Sequence, residues 1–434
     1  MSTELIGLIG IIALVVLILV RVPVGFSLLF VGFLGISYIR GFDVGLNQLS
    51  SSSFSTVNSY SLTVIPLFIL MGMYISNTGL GNELFTAVNK WIGHLRGGLA
   101  IATIGAASIF SSISGSANAT TATLTKICIP EMEKYQYRSS FAASAVATGG
   151  TLGALIPPSV LLILYGALTS VPIGSLLIAG IVPGILMAII FMIMVNVQVR
   201  LKPEIAPVNH EPSSFKEKVF SLKNVWPFLL IFLLSIGGIY FGVFTPNESG
   251  AIGATSSFIL AVVMKRINFK ILVSSLDETI RISIMIFFIL IGASIFGRFL
   301  AMTKIPVYLT TTVGSLDVSP YVILAGLLLI YFILGMFLEG IAIMVLTLPI
   351  VYPLITSLGF DGLWFGIIMI MIVNIGVLTP PLGLNVFIIS GMMKHVPIGS
   401  IFLAVVPAIF VMIGFILVLI VFPGVVTFLP SLSN

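Results

Sequence analysis

Charge is what this sequence has least of. Its 434 residues carry 19 lysines and arginines and 14 aspartates and glutamates, 8% in all, where a soluble domain carries about 25%. With 58% hydrophobic residues and a mean hydropathy of +1.23, a soluble fold is excluded. The single cysteine, Cys128, excludes an internal disulfide framework and reads as a small packing residue. No G-x-x-x-x-G-K-[ST] loop and no H-E-x-x-H are present, which removes ATP hydrolysis through a phosphate loop and the zinc-protease helix. The three histidines, His94, His210 and His395, all fall in expected cytoplasmic loops or ends. A serine at membrane depth, Ser114 or Ser116, therefore has no histidine base beside it. An intramembrane serine protease survives only as a Ser-Lys pairing with Lys126, so no enzyme and no cofactor are expected. The net charge of +5 does not point to nucleic acid, because the basic residues sit in loops between apolar runs. No cleavable signal is expected, since Glu4 precedes the first apolar run and a second run follows Arg21-Val22-Pro23 at once.

What is there is an all-α polytopic membrane protein. A helical crossing needs about 20 apolar residues. Ten such runs lie near 4–20, 23–39, 61–77, 139–166, 173–198, 225–243, 245–264, 283–302, 363–393 and 398–422. Two more, 99–132 and 319–357, are interrupted near their middles by small or polar residues and read as re-entrant helical hairpins. With the N-terminus outside and both hairpins returning to the side they left, fourteen of the 19 lysines and arginines fall in cytoplasmic loops or ends. Only Arg40 and Lys304 fall outside. Both termini are then periplasmic. The segments 79–97 and 267–282 alternate apolar with charged residues at helical spacing and predict interfacial amphipathic helices, an ordinary solvated connector being the alternative.

The halves repeat each other. Residues 156–184 and 379–408 share a double proline, then Val-Pro-Ile-Gly-Ser, then Val-Pro. Ser114-Gly115 to Pro130 corresponds in the same way to Leu334-Gly335 to Pro349. With hairpins entering from opposite sides, this predicts an inverted repeat with two re-entrant hairpins and two broken helices, the architecture of a secondary transporter. The chain divides into scaffold spans with an interfacial helix (1–98), a first repeat (99–199), a linker (200–224), second scaffold spans with an interfacial helix (225–318), a second repeat (319–422) and a tail (423–434).

Two constellations can carry chemistry. The first joins the tip residues Ser114, Ser116, Asn118 and Thr120 to the break at Gly149, Gly150 and Thr151, before Pro157 and Pro158. Prolines free backbone carbonyls, and those carbonyls with hydroxyl and amide oxygens suit a small hard cation. Helix N-termini beyond the breaks suit a carboxylate. Close packing by small residues is the competing reading. The second comprises Gly335, Glu339, Asn374, Gly376, Thr379, Pro380 and Asn385. A carboxylate at membrane depth costs at least about 2.5 kcal/mol and is functional by default, unless Glu339 merely tops a water-filled vestibule. Glu248 reads as a helix cap. Arg298 and Lys304 read as snorkelling outward, with Arg298 as a weaker candidate for guiding an anionic substrate.

SGSANAT, GTLGALIPPS, TPNESGAIGA and TPPLGLNVF, in this order and spacing, resemble the large membrane subunit of tripartite ATP-independent periplasmic (TRAP) transporters. The resemblance covers essentially the whole chain. It implies a sodium-driven, elevator-type importer of organic acids such as C4-dicarboxylates or sialic acid in a bacterial inner membrane. It also implies two partners, a small membrane subunit of about four spans and a periplasmic substrate-binding protein. Carried onto matching positions, the family's sodium sites fall on Ser114, Ser116, Asn118, Gly149 and Thr151, and on Gly335, Gly376 and Thr379. Thr120, Pro157, Pro158, Glu339, Asn374, Pro380, Asn385 and Arg298 remain as substrate or gate candidates. Thr120 stands where many members carry aspartate, so the first site relies on neutral oxygens. The rival is a stand-alone sodium/dicarboxylate symporter, whose second tip tends to repeat Ser-Asn-Thr; here that tip reads Leu-Glu-Gly-Ile-Ala.

Overall fold

The computed structural model describes residues 2–207, 214–223, 225–314 and 318–433; His210 and part of the 200–224 linker lie outside them. Among the described residues every regular element is helical. Ser2 caps α1 (Thr3–Leu19) by accepting from Leu5 N, and Pro23 starts α2 (Val24–Arg40). Gly41, at φ +98°, turns the chain into α3 (Phe42–Val57), in a stretch where hydropathy predicts no span. Its serines, Asn47 and Gln48 hold its apolar character below that of a crossing. Next come α4 (Val64–Asn77), α5 (Leu80–Ile92), α6 (Gly98–Ser114), α7 (Ala117–Lys134), α8 (Ser139–Thr151), α9 (Val160–Thr169) and the long α10 (Ile173–Leu201). After α11 (Phe215–Leu222), a π turn joins α12 (Trp226–Phe232) to α13 (Gly238–Tyr240). Then follow α14 (Pro246–Val263), α15 (Phe269–Thr303) and α16 (Ile305–Gly314). The last group is α17 (Pro320–Phe337), α18 (Gly340–Ser357), α19 (Gly362–Gly376), α20 (Leu384–Met392), α21 (Ile398–Val421) and α22 (Gly424–Leu432), the last lying within the expected tail.

Both interrupted stretches fold back on themselves. In the first, Tyr137 OH, just beyond α7, accepts from Leu99 N at the start of α6 at 3.3 Å, so the far ends of the two arms meet. In the second, Tyr331 OH and Thr347 Oγ1 are 2.9 Å apart across α17 and α18. The arms break at Gly115-Ser116 and at Leu338-Glu339. Cys128 is buried within the first hairpin, as a packing residue should be.

Six helices among the described residues are long and apolar enough to cross a membrane, and two of them are α17 and α18. Two of the expected crossings are each a pair of shorter helices, where the double prolines predict a broken helix. The runs near 139–166 and 363–393 are divided as α8/α9 and α19/α20, each interrupted around a cis Pro-Pro bond, Pro157-Pro158 and Pro380-Pro381. One expectation is corrected. The sequence pattern separates an interfacial helix at 267–282 from a span at 283–302, but α15 runs unbroken for 35 residues. Nothing between Phe269 and Ile291 is a glycine or proline, and Arg281 pairs with Asp277 one turn back at 2.7 Å, so the helix has no reason to stop.

α15 is the spine of one group of helices, packing along α2, α3 and α4, while α4 packs on α14. An ion pair from Arg266, in the turn before α15, to Glu83 of α5 ties this group to the amphipathic helix. The hairpins and broken helices form the other group, and their packing is reciprocal. The helix after the first break, α9, lies on α18 of the second hairpin; the helix after the second break, α20, lies on α7 of the first hairpin and on α8, the helix before the first break.

Candidate functional site

The tips of the two hairpins meet. Gly115, at φ +61°, is where α6 ends, and a side chain there would strike the Pro158 carbonyl, so only glycine lets the tip seat on the break. The Gly115 carbonyl accepts from Val160 N at 3.2 Å, which locks tip to break. In the second half Leu382 N, just after Pro380-Pro381, donates to Met336 O at 3.4 Å. Each hairpin is thus held by the broken helix that follows it.

Between the tips lies a cavity of about 320 Å³ lined by Ser114, Ser116, Asn118, Glu339 and Asn374, with the apolar faces of α4 and α15 opposite. Five of the sequence-predicted residues are therefore brought together. Asn118 Nδ2 donates across the tips to Glu339 Oε1 at 3.4 Å. Glu339 is the only charged residue among the described residues lining this cavity, and it stands at the N-terminus of α18, where the helix dipole favours an anion. Among the described residues no group of three or more histidines, cysteines or carboxylates can hold a metal. Any cation here must be held by neutral oxygens with at most one carboxylate.

The other predicted residues stand around this cavity. Thr120 is buried with its hydroxyl 2.8 Å from Ser114 Oγ, so it orders the tip from behind. Thr151 Oγ1 donates to Thr148 O at 2.7 Å and Thr379 Oγ1 to Ile375 O at 2.7 Å. Asn374 Nδ2 donates to Ile370 O at 2.9 Å. Gly149 packs against Ala107 of α6, and Gly335 of α17 meets Gly376 of α19 backbone to backbone. Pro157 and Pro158 are buried in the first break, whereas Pro380 is exposed at the second. Arg298 is away from the tips. It lines a second cavity of about 1040 Å³ together with Tyr60, Asn247 and Pro349.

Asn385 does something its place in the motif does not reveal. It is fully buried, and its Nδ2 donates to Ala147 O of α8 at 3.2 Å, which pins α20 to the first half. Its Oδ1 has no partner, and neither does the buried Thr121 Oγ1. Both residues border Gly150, where a side chain would strike Thr121 Oγ1 and crowd the Asn385 amide. Thr121 was missed at the sequence level, although it is the second threonine of the run that supplies the tip. Two buried polar oxygens without a protein partner are costly unless something meets them. Asn385→Ala is expected to lower stability by about 1–3 kcal/mol, read as a lower melting temperature of the detergent-extracted protein. An unchanged melt would show that the amide does not hold α20 in place.

Comparison with known proteins places nearly the whole chain among membrane transport proteins. Residues 11–425 match the family model described as tripartite ATP-independent periplasmic transporter, DctM component. The C4-dicarboxylate TRAP transporter large permease protein DctM of Pseudomonas aeruginosa is 35% identical over 391 residues, 89% of this chain and 88% of that protein. The sialic acid TRAP transporter large permease protein SiaM of Vibrio cholerae is 29% identical, with 96% of each chain covered. Among solved structures, the YdaH transporter of Alcanivorax borkumensis superposes with a TM-score of 0.65 at 14% identity, covering 88% of this chain and 89% of that one. That likeness bears on the fold alone.

Proposed function

The chain belongs to the DctM component family of tripartite ATP-independent periplasmic transporters, and we propose that it is the sodium-coupled transport subunit of an organic-acid importer working by an elevator motion. The observation that carries this reading is the meeting of the two hairpin tips around one cavity, bridged by Asn118 and Glu339. Broken helices and hairpin tips present carbonyl and hydroxyl oxygens to a cation and helix N-termini to a carboxylate. The orphaned Thr121 Oγ1 and Asn385 Oδ1 add unsatisfied oxygens close behind the first tip, which favours a hard cation there.

In this reading the hairpins, α8 to α10 and α19 to α21 are the mobile body. The group around α15, braced by the small membrane subunit, is the fixed scaffold. The lysine and arginine bias puts the N-terminal end of α15 on the cytoplasmic side of a bacterial inner membrane and both chain termini in the periplasm. A soluble binding protein delivers the acid, so substrate choice rests largely outside this chain. A C4-dicarboxylate or sialic acid is the expected cargo, in line with the names of the relatives above. Each sodium ion moving inward contributes about 2.3 kcal/mol per 100 mV.

The test is uptake of succinate, and separately of sialic acid, into proteoliposomes under a sodium gradient and inside-negative potential. This chain is reconstituted with and without the small subunit and the matching binding protein. Uptake of one acid that needs all three proteins and sodium is expected. Uptake by this chain alone would replace the reading with a stand-alone symporter, and indifference to sodium would remove the coupling ion.

A further inference from the structure

The two cavities lie at different heights on one helix. Ile282 and Ile286 of α15 face the hairpin tips, while Leu290 and Ala293, with Gly297 and Ala301 beyond them, line the larger cavity. These positions follow one another at steps of three and four, so they form a single stripe on the face of α15 turned toward the hairpin body. α18 runs alongside: its first residues, Gly340 and Ile341, line the tip cavity, and Pro349 lines the larger one. The larger cavity is thus the room into which the tips move if the body slides toward the C-terminal end of α15. Bringing Gly340 to the present height of Pro349 takes nine residues of helix, about 14 Å at about 1.5 Å per residue.

The stripe changes character along that path. Opposite the tips it is isoleucine; in the larger cavity it becomes Ala293, Gly297 and Ala301, with Ser294 beside them. Arg298 is the only charged residue among the described residues lining the larger cavity. With the Gln48 amide turned so that its oxygen faces the guanidinium, Gln48 of α3 accepts from Arg298 Nη1 at 2.9 Å and from Nε at 3.3 Å. Among the described residues no carboxylate lies within ion-pair distance of Arg298. A guanidinium positioned by an amide, facing a large cavity with no carboxylate among its described lining residues, is built to receive one.

We infer that Arg298 is an outer carboxylate station. When the body stands about 14 Å toward the periplasm, the tip cavity comes opposite the guanidinium, which then holds the carboxylate of the acid being loaded. In the arrangement seen here the tips have left that station. This inference rests on the transport reading above, and it concerns a residue outside the tip cavity.

The test uses the assembled three-protein system in a Cys128→Ser background. An inner pair, Ile286→Cys with Ile341→Cys, reports the arrangement seen here. An outer pair, Gly297→Cys with Ile341→Cys, reports the displaced one, and a side chain at Gly297 meets nothing within 4 Å. Both pairs are expected to be trapped by a short bifunctional methanethiosulfonate. Outer trapping should rise with sodium and binding protein loaded with whichever of succinate or sialic acid is taken up. Adding Arg298→Gln should raise the acid concentration for half-maximal outer trapping about tenfold, whereas Arg298→Lys, which keeps the charge but loses the planar fork, should raise it less. An inner pair that traps while the outer pair never does, in protein that still transports, overturns the inference. So does an outer pair whose dependence on the acid is unchanged by Arg298→Gln. Loss of sodium or partner dependence in plain uptake would instead strike the transport reading, and the two failures are separately visible.

Discussion

Gly376→Ala is expected to leave almost no folded, transporting protein, while Gly335→Ala, its partner in the same contact, is expected to be tolerated. At Gly376 a Cβ would overlap the backbone of Gly335, its carbonyl carbon nearest. Backbone cannot rotate away as a side chain can, so α17 and α19 must separate along their whole contact. Overpacking of this kind costs about 1–3 kcal/mol and more where backbone is the obstacle, against a total stability of about 5–15 kcal/mol. At Gly335 the nearest atoms to a new Cβ are Gly376 Cα and Val373 O, both at 3.1 Å, a crowding of a few tenths of an ångström. Alanine also gains about 1 kcal/mol over glycine inside a helix, which offsets part of that crowding. Both substitutions leave the backbone carbonyls in place, so cation ligation by those oxygens does not account for the asymmetry. The measurements are yield of monodisperse protein in detergent, its melting temperature, and uptake after reconstitution. Two variants that behave alike, whether both intact or both lost, would mean that the helices approach differently from the arrangement described.

The features that sequence displayed well are those that membrane physics forces into composition. A polar, small-residue interruption such as SGSAN within an apolar run has few permitted structures in lipid, and both hairpins are found where such interruptions stand. The double prolines marked the two helix breaks for the same reason. What stayed hidden has a common cause: it depends on partners distant in sequence. Asn385 reads as a substrate or gate candidate because it closes the motif TPPLGLN, yet its amide reaches Ala147, 238 positions away. Glu339, read as a charge at membrane depth, and Arg298, read as snorkelling outward or guiding an anion, line different cavities, since no local pattern fixes which face of α15 meets the hairpins. The unbroken α15 was hidden because a charged, amphipathic start followed by an apolar run predicts two elements whether or not the helix bends between them. Thr121 next to Thr120 shows the limit most sharply. One hydroxyl orders the tip and the other is left without a partner against Gly150, a distinction made only by the turn of α7.

The contact between Asn118 and Glu339 makes the tips a single unit, and a double-mutant cycle exposes that unit. Glu339→Gln keeps size and hydrogen-bonding capacity but removes the only negative charge among the described residues lining the tip cavity. A cation held nearby loses a Coulombic partner whose effect, screened by the open cavity, is about 1–2 kcal/mol. Half-saturation by sodium should therefore move up about tenfold. Asn118→Ala removes an amide oxygen from the first tip and the donor that meets Glu339 Oε1 at 3.4 Å, so a similar loss is expected. If each residue served its own hairpin alone, the two losses would add. Because one bond joins them, the double variant should fall short of the sum by at least about 0.5 kcal/mol, the lower end for residues in contact. The quantity to measure is the sodium concentration for half-maximal uptake in the parent, both single variants and the double variant, at fixed loaded binding protein. Strict additivity would separate the tips energetically, and an unchanged sodium response in either single variant would place the coupling ion elsewhere. With non-additivity and a shifted sodium response together, the ion would be felt by both repeats at once, and under the proposed mechanism that coupling would keep a body without its ion from moving.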